Sequence, residues 1–269
     1  MATKTGVDTP GRAPISQATL RSDNWRKAPT LTFLGLMTFV VYALIRTATQ
    51  SAYFAEGASY SYLTPFASPC VSSNCVAGST HFGVWFGKFP MMVPLAIVTL
   101  TFILCFRLTC YYYRKAYYRA FWKSPQACGV PEPKSKYTGE TRFPLIMQNA
   151  HRYFFYATVL VSLINTYDAV KSFHGTEGFG LGLGNIIIVA NVILLWSYTM
   201  GCHSCRHITA GRINHFSKHP VRYWLYQKAS LLNGRHMQLA WTTLGTLMIT
   251  DAYIALVSSG TISDLRFIG

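Results

Sequence analysis

Long apolar stretches alternate with basic, polar segments along the 269 residues of the chain. Five of these stretches approach the roughly 20 residues that a helix needs to cross the hydrocarbon core of a bilayer. They are residues 31–46, 89–106, 151–170, 183–202 and 237–257. Runs of about ten residues with alternating polarity, typical of a membrane barrel, do not occur. The pattern therefore predicts an all-α integral membrane bundle of five transmembrane helices.

The composition narrows the class further. Hydrophobic residues make up 51% of the chain and charged residues only 12%, whereas about a quarter of a soluble domain is charged. The net charge of +15 is typical of a nucleic-acid-binding protein. The basic residues of this chain, however, lie between apolar runs and do not cover a polar surface. A soluble enzyme, a disordered tail and a disulfide-rich secreted domain are excluded, and no nucleic-acid partner is expected.

The distribution of lysine and arginine predicts the orientation. Segments 1–30, 107–152 and 206–235 hold 20 of the 24 basic residues, and residues 50–82 hold none. Because basic segments stay on the cytoplasmic side, we expect a cytoplasmic N-terminus and an external C-terminus.

The same distribution defines the domain organisation. A cytoplasmic arm, residues 1–30, is polar and too long for the basic start of a signal peptide, so the first span is predicted to be an anchor. Residues 31–269 are predicted to form one transmembrane domain, with basic cytoplasmic loops at 107–150 and 206–235.

Cysteine and histidine residues gather at the predicted cytoplasmic ends of the spans. Four of the eight histidines lie there, and the string GCHSCRH places two cysteines beside two of them. These residues are His151, His203, His207, His236, Cys202 and Cys205, with Cys110 at a matching depth in the second span. Helix bundles bind metals through side chains of several helices that meet at one level.

Helical phase selects four of these residues. At about 100° per residue, Cys202 and Cys205 share one polar stripe of the fourth span, and His151 and His236 lie on polar stripes of the third and fifth. Polar side chains in lipid turn towards the bundle interior. The predicted metal ligands are therefore Cys202, Cys205, His151 and His236, with His203, His207 and Cys110 as alternates.

Three cofactors are compatible with this ligand set. Two cysteines on one iron and two histidines on the other form a Rieske-type [2Fe-2S] cluster. Haem b would use two histidines on opposing helices and leave the cysteines unexplained. Zinc accepts a closed Cys2His2 site but carries no electrons, so its function would be structural.

Two further pairs of residues lie towards the outer ends of the spans. Cys70 and Cys75 face an oxidising compartment in which disulfides persist, although their spacing alone leaves the pairing open.

Asp168 and Asp251 are the acids inside the predicted spans. We expect each to pair with neighbouring tyrosine or threonine side chains.

Four strings of the sequence resemble a known family. They are NWRKAPTLTFLGL (24–36), TCYYYRKAYYRAFWKSPQACGV (109–130), YTGETRFPLIMQNAHRYFFY (137–156) and YTMGCHSCRHITAGR (198–212). They resemble the large five-helix membrane anchor of actinobacterial succinate dehydrogenases, the respiratory complex II. The likeness extends from the first span to the last.

This resemblance implies a complex in the bacterial plasma membrane, with a flavoprotein subunit that carries FAD and an iron–sulfur subunit on the cytoplasmic side. Succinate would be oxidised there, and electrons would pass through the anchor to quinone. The chain would then be part of an enzyme but not catalytic alone, and no catalytic residue is assigned. The alternative is a passive anchor that holds zinc or no metal.

Aromatic and basic residues alternate along segment 111–123, beside the predicted cytoplasmic face. Arg119 and Trp122, together with Arg206, are the predicted quinone contacts. Trp25 and Arg26 form an equally plausible pair. The same pattern is also typical of an interfacial belt of aromatic rings and snorkelling cations.

Overall fold

Helices dominate the protein. The computed structural model describes residues 24, 26–49, 51–85, 87–88, 96–117, 145–211 and 213–269. Within these ranges the α-helices are α1 (Lys27–Thr49), α2 (Ile97–Thr109), α3 (Tyr111–Tyr117), α4 (His151–Lys171), α5 (Leu183–Met200), α6 (His203–Ala210), α7 (Pro220–Gly234) and α8 (His236–Ser258). Short 3-10 helices lie at Leu145–Ala150 and Phe216–Lys218. The predicted class is confirmed in its main feature, a mostly helical chain.

Three of the described helices are long and apolar enough to cross a membrane. They are α1, α5 and α8, with mean hydropathies of 1.9, 1.7 and 1.3. The described part of α2 has 13 residues, and residues 89–95 of the predicted second span lie outside the described residues. Helix α4 has 21 residues, but His151, Ser162, Asn165 and Asp168 reduce its apolar character. Helices α2 and α4, which correspond to the second and third predicted spans, therefore remain predicted to cross the membrane.

The chain divides into two compact units, residues 1–38 with 108–149 and residues 39–107 with 150–269. In the second unit, α5 packs against both α4 and α8. Its buried side carries Ile188, Asn191, Val192, Leu195 and Tyr198, spaced as one face of a helix requires.

The outer faces of these helices are apolar. Leu160 and Leu163 of α4, Ile193 of α5 and Ile249 of α8 are each about half exposed or more. An apolar surface of this extent is unfavourable in water but suits the hydrocarbon core of a bilayer. The exposed faces therefore support the membrane assignment independently of helix length.

Two small antiparallel sheets correct the all-α prediction. Strands β1 (Phe54–Gly57) and β2 (Tyr60–Leu63) form a hairpin, and β3 (Leu181–Gly182) pairs with β4 (Arg266–Ile268). Side chains of the hairpin pack on α4, α5 and α8, and we call this end of the second unit the hairpin end. Gly175 allows the 171–182 loop to approach the hairpin, because a Cβ atom there would lie 2.2 Å from the carbonyl oxygen of Gly57.

A disulfide bond joins Cys70 and Cys75 in the segment that follows the hairpin. The sequence placed both cysteines in one outer loop but left their pairing open. The bond closes a short loop and leaves no free thiol at these two positions.

Both intramembrane acids have partners, as the sequence predicts. Asp251 is fully buried and accepts hydrogen bonds from Tyr42 Oη at 2.5 Å and from the Thr64 hydroxyl. Asp168 accepts a hydrogen bond of 2.6 Å from Thr80 Oγ1. The sequence did not predict the ion pair between Asp251 and Arg46, whose Nε lies 2.6 Å from Oδ2. This ion pair joins α1 to α8.

We expect Asp251→Asn to lower the free energy of unfolding by about 3 kcal/mol, because it leaves the partly buried Arg46 guanidinium without its counter-charge. Thermal unfolding of the protein purified from membranes measures this loss. Glu177→Gln removes an exposed acid and serves as the matched control, with a loss of about 0–0.5 kcal/mol. Equal losses in the two variants would contradict a stabilising ion pair.

Candidate functional site

Three helix ends meet where the sequence predicts a metal site. Helix α5 ends at Met200, while α4 begins at His151 and α8 begins at His236. We call this end of the second unit the histidine end. Because α5 packs against the other two helices, the residues at these termini belong to one region of the unit.

His151 and Cys202 are in direct contact. The distance from His151 Nε2 to Cys202 Sγ is 2.9 Å, and the two residues are 7% and 1% exposed. Cys205 is also buried, and its Sγ lies 3.9 Å from Met200 Sδ. Burial raises the pKa of the Cys205 thiol, since a thiolate is unfavourable in apolar surroundings. The neutral thiol is therefore favoured at this position, and a bound metal ion would favour the thiolate instead.

The helix that carries the two cysteines differs from its prediction. The sequence predicts a span over residues 183–202, but α5 ends at Met200 and Gly201 and Cys202 precede a separate helix, α6. Cys202 has extended backbone angles and caps α6 by accepting a hydrogen bond from Ser204 N at 3.4 Å. The prediction that Cys202 and Cys205 lie on one continuous helical stripe is thus wrong.

Gly201 allows α7 to approach the end of α5 closely. A Cβ atom at position 201 would lie 3.0 Å from Ser197 O and 3.2 Å from Leu232 of α7, so a larger residue would hinder the approach of α7. Asn233 of α7 donates a hydrogen bond of 2.8 Å to Gly201 O. This bond satisfies a carbonyl group at the end of α5.

A series of stacked rings joins the two predicted histidine ligands. The His151 ring stacks on Phe106 with centroids 4.7 Å apart, and the His236 ring stacks on Tyr198 at 4.8 Å. Phe106 meets Tyr198 edge to face at 5.6 Å. Because these rings pack closely, they limit the orientations open to both imidazoles.

Arg107 carries a buried positive charge beside this series. It is 1% exposed, and it donates hydrogen bonds to Ala240 O at 3.2 Å and Thr243 Oγ1 at 3.0 Å. Its guanidinium carbon lies 4.9 Å from the centre of the Tyr198 ring and 5.4 Å from that of Phe39. These contacts are cation–π interactions, and they fix the charge against α8 and α5.

Sequence reasoning missed Phe106 and Arg107. Arg107 is counted among the residues of a basic loop, whereas the structure buries it at the end of α2. Arg107 directly follows the apolar run 89–106, and this position could have indicated that the residue is buried within the span. A cation inside a span is a functional candidate. For Phe106 no signal distinguishes this ring from the other aromatic residues of the span.

The alternate ligands differ in exposure. His203 and His207 share one face of α6 and are exposed, whereas Cys205 on the same helix is buried. Cys110 is buried and belongs to the first compact unit. Of the four predicted ligands, the second unit brings His151 and Cys202 into direct contact.

Arg206 braces α6 against α7. Its three guanidinium nitrogens donate to Ser230 Oγ at 3.1 Å, Asn233 Oδ1 at 3.1 Å and Tyr226 Oη at 2.8 Å. The hydrogen bond from this cation lowers the pKa of Tyr226. The other two predicted quinone contacts, Arg119 and Trp122, and also Trp25, lie outside the described residues.

A second group of possible ligands lies at the hairpin end. Within the described ranges, Cys70, Cys75 and His81 are the group of three cysteine, histidine or acidic residues whose donor atoms all lie within 4.8 Å of one another. Cys70 and Cys75 form a disulfide, so neither offers a thiolate. We therefore do not regard this group as a metal site.

Comparison with known proteins identifies relatives over nearly the whole chain. The family model for the actinobacterial succinate dehydrogenase subunit SdhC matches residues 27–260. The chain is also similar to a chain in the solved structure of the Mycobacterium smegmatis Sdh1 complex in the apo form. The two share 65% sequence identity and a TM-score of 0.87, and the alignment covers 98% of this chain and 100% of the other. No curated protein matches the chain significantly.

We expect Arg107→Lys to lower the free energy of unfolding by about 2 kcal/mol, because an ammonium group reproduces neither the paired hydrogen bonds to α8 nor the flat contact with Tyr198. Thermal unfolding of the purified membrane assembly measures the loss. The control is Arg152→Lys at an exposed position of α4. If both variants unfold at the temperature of the unmodified protein, the buried contacts of Arg107 are not stabilising.

Proposed function

The chain belongs to the family of the actinobacterial succinate dehydrogenase subunit SdhC, and from this membership we propose that it anchors a succinate dehydrogenase complex in the bacterial plasma membrane. The proposed partners are the flavoprotein subunit, which carries FAD, and the iron–sulfur subunit. The apolar outer faces of α4, α5 and α8 support the membrane location. Similarity to a chain of the Mycobacterium smegmatis Sdh1 complex supports the assembly.

The proposed orientation has the histidine end at the cytoplasmic face. Helices α6 and α7 connect α5 to α8 at this end, and residues 206–235 around them are basic, as cytoplasmic segments are. The disulfide between Cys70 and Cys75 supports an external location for the opposite end, since disulfides persist outside the reducing cytoplasm. Charge distribution and cysteine oxidation thus support one orientation independently.

We propose that the histidine end holds a Rieske-type [2Fe-2S] cluster through Cys202, Cys205, His151 and His236. The contact of 2.9 Å between His151 and Cys202 carries this proposal, because it joins an imidazole and a thiol from different helices in a buried site. Two cysteines and two histidines are the ligands of such a cluster. When bound, it would accept one electron from the soluble subunits and pass it to quinone.

The remaining residues of the site position and shield these ligands. Phe106 and Tyr198 restrain the two imidazole rings and exclude water from the site. Arg107 holds a positive charge beside Tyr198, and a nearby positive charge favours the arrival of an electron.

Haem b and zinc are the alternatives for the same residues. Haem b would be held by His151 together with His203, His207 or His236, but it would give no function to the buried contact between His151 and Cys202. Zinc would use all four side chains and leave the chain a passive anchor. The ligand chemistry favours the cluster because it uses all four residues and also carries electrons.

The proposed quinone site combines Arg206 with Arg119 and Trp122. Arg206 lies on α6 one residue after the proposed ligand Cys205. The Arg206 side chain would therefore place a hydrogen-bond donor close to the electron source.

We expect substitution of a proposed ligand to separate the two half-reactions. In the purified complex, Cys202→Ser or His151→Ala should abolish quinone reduction and retain succinate oxidation by an artificial acceptor, because electrons still reach the soluble subunits. Low-temperature electron paramagnetic resonance of the reduced complex, with iron and sulfide analysis of each subunit, should show the loss of a Rieske-type signal.

Two matched controls test whether the effect is specific. Cys105→Ser removes a half-buried thiol of α2, and His174→Ala removes an exposed imidazole at the hairpin end. Both should retain the signal and quinone reduction. Unchanged quinone reduction in a stable Cys202→Ser complex would instead indicate a passive anchor, and a sharp haem absorption band would indicate a cytochrome.

For the quinone site, we expect Arg206→Gln to raise the KM for quinone several-fold while succinate oxidation by an artificial acceptor is retained. Arg222→Gln is the control, because Arg222 also braces α6 and α7, through a bond of 2.8 Å to Thr209 O, without being a proposed contact. Steady-state kinetics with a soluble quinone analogue measure both variants. An equal rise in both would assign Arg206 a bracing function only.

A further inference from the structure

A small polar cavity lies among α4, α5 and α8, close to the hairpin. Its volume is about 10 Å³. Asn165 and Asp168 line it from α4, Asn191 from α5, Thr250 from α8 and Thr64 from the segment after β2. Four helical or loop elements thus direct polar side chains towards one point inside the bundle.

Three polar atoms at this cavity have no hydrogen-bond partner among the residues that the structure describes. They are Asn165 Nδ2, Asp168 Oδ2 and Asn191 Oδ1. Asn165 is 4% exposed and Asn191 is 2% exposed, so neither side chain reaches bulk water. Buried polar groups without partners are unfavourable and rare in native proteins, which indicates that a ligand belongs at this point.

The donor or acceptor character of the three atoms determines which hydrogen bonds the ligand must make. Asn165 Nδ2 is a donor, whereas Asp168 Oδ2 and Asn191 Oδ1 are acceptors. A matching ligand must accept one hydrogen bond and donate two. A metal ion meets only the two oxygens, because it cannot accept a hydrogen bond from an amide NH2 group.

The volume restricts the ligand further. A site for a single water molecule needs a cavity of roughly 10–15 Å³ and two to four polar partners. The cavity offers about 10 Å³ and three unpartnered atoms, which excludes a lipid headgroup or a quinone ring.

We propose that this cavity binds one water molecule, which accepts a hydrogen bond from Asn165 Nδ2 and donates one each to Asp168 Oδ2 and Asn191 Oδ1. The water joins α4 to α5 beside Ile188 and Val192, two apolar side chains of α5 that also line the cavity. It also extends a hydrogen-bonded connection from the outer loop, because Thr80 binds the other carboxylate oxygen of Asp168. The outer loop and the bundle interior are thus connected through one carboxylate.

A density map of the assembled complex that resolves ordered water tests the proposal. We expect one peak about 2.7–3.2 Å from each of the three atoms, the range of ordinary hydrogen bonds. Absence of the peak, in a map that shows other buried waters, overturns the proposal. A peak about 2.0–2.6 Å from the two oxygens also overturns it, because such distances are typical of a bound divalent cation.

Asn191→Leu and Asn185→Leu form a matched pair of variants. Both asparagines are buried on α5, but Asn185 is bonded to protein atoms, accepting from Tyr62 Oη at 3.0 Å and donating to Ser172 O at 2.8 Å. Asn191→Leu should remove the peak, because it deletes an acceptor and fills the cavity, whereas Asn185→Leu should retain it. A peak that persists in Asn191→Leu overturns the proposal, and the map of the unmodified complex decides the matter if this variant fails to assemble.

Discussion

The hydrocarbon core of a membrane offers no hydrogen-bond partners, so a polar side chain at that depth needs a partner inside the protein. Contacts among the helices provide such partners for charged side chains, while apolar side chains of α4, α5 and α8 face outwards. Asp251 and Arg46 form one such internal contact at the hairpin end, and Arg107 forms another with α8. The position of each helix is therefore fixed largely by polar contacts, because apolar side chains gain little from leaving lipid.

The same constraint explains why the histidine end can serve as a redox site. A buried imidazole is costly in apolar surroundings unless its ring nitrogens find partners, whereas a buried neutral thiol is tolerated. His151 and Cys202 pair directly, and the aromatic stack of Phe106 and Tyr198 keeps water away from both. Packed rings and helix ends position these side chains, which is what a preorganised ligand set requires.

Sequence reasoning located the histidine end because helical periodicity and the ends of apolar runs are local properties of the chain. It predicted the start of α4 at His151 correctly. It did not predict the packing of Leu232 against Gly201 at the end of α5, because Leu232 belongs to a distant segment. Arg107 was assigned to a loop for a similar reason, since its burial requires Tyr198 and α8 to be in place. Local pattern thus predicted the candidate ligands, whereas tertiary contacts determined how they meet.

Helix α4 connects the two polar regions of the second unit and also separates them. His151 begins the helix and Asn165 faces the cavity near its other end, so the two residues are about 21 Å apart at 1.5 Å per residue. Substitutions more than about 10 Å apart, without shared partners, usually have additive effects on stability. The proposed redox site and the proposed water site should therefore contribute to stability independently. An effect of Asn191→Leu on quinone reduction would imply that α5, which carries Asn191, or its neighbour α4 transmits a displacement from the hairpin end to the proposed ligands.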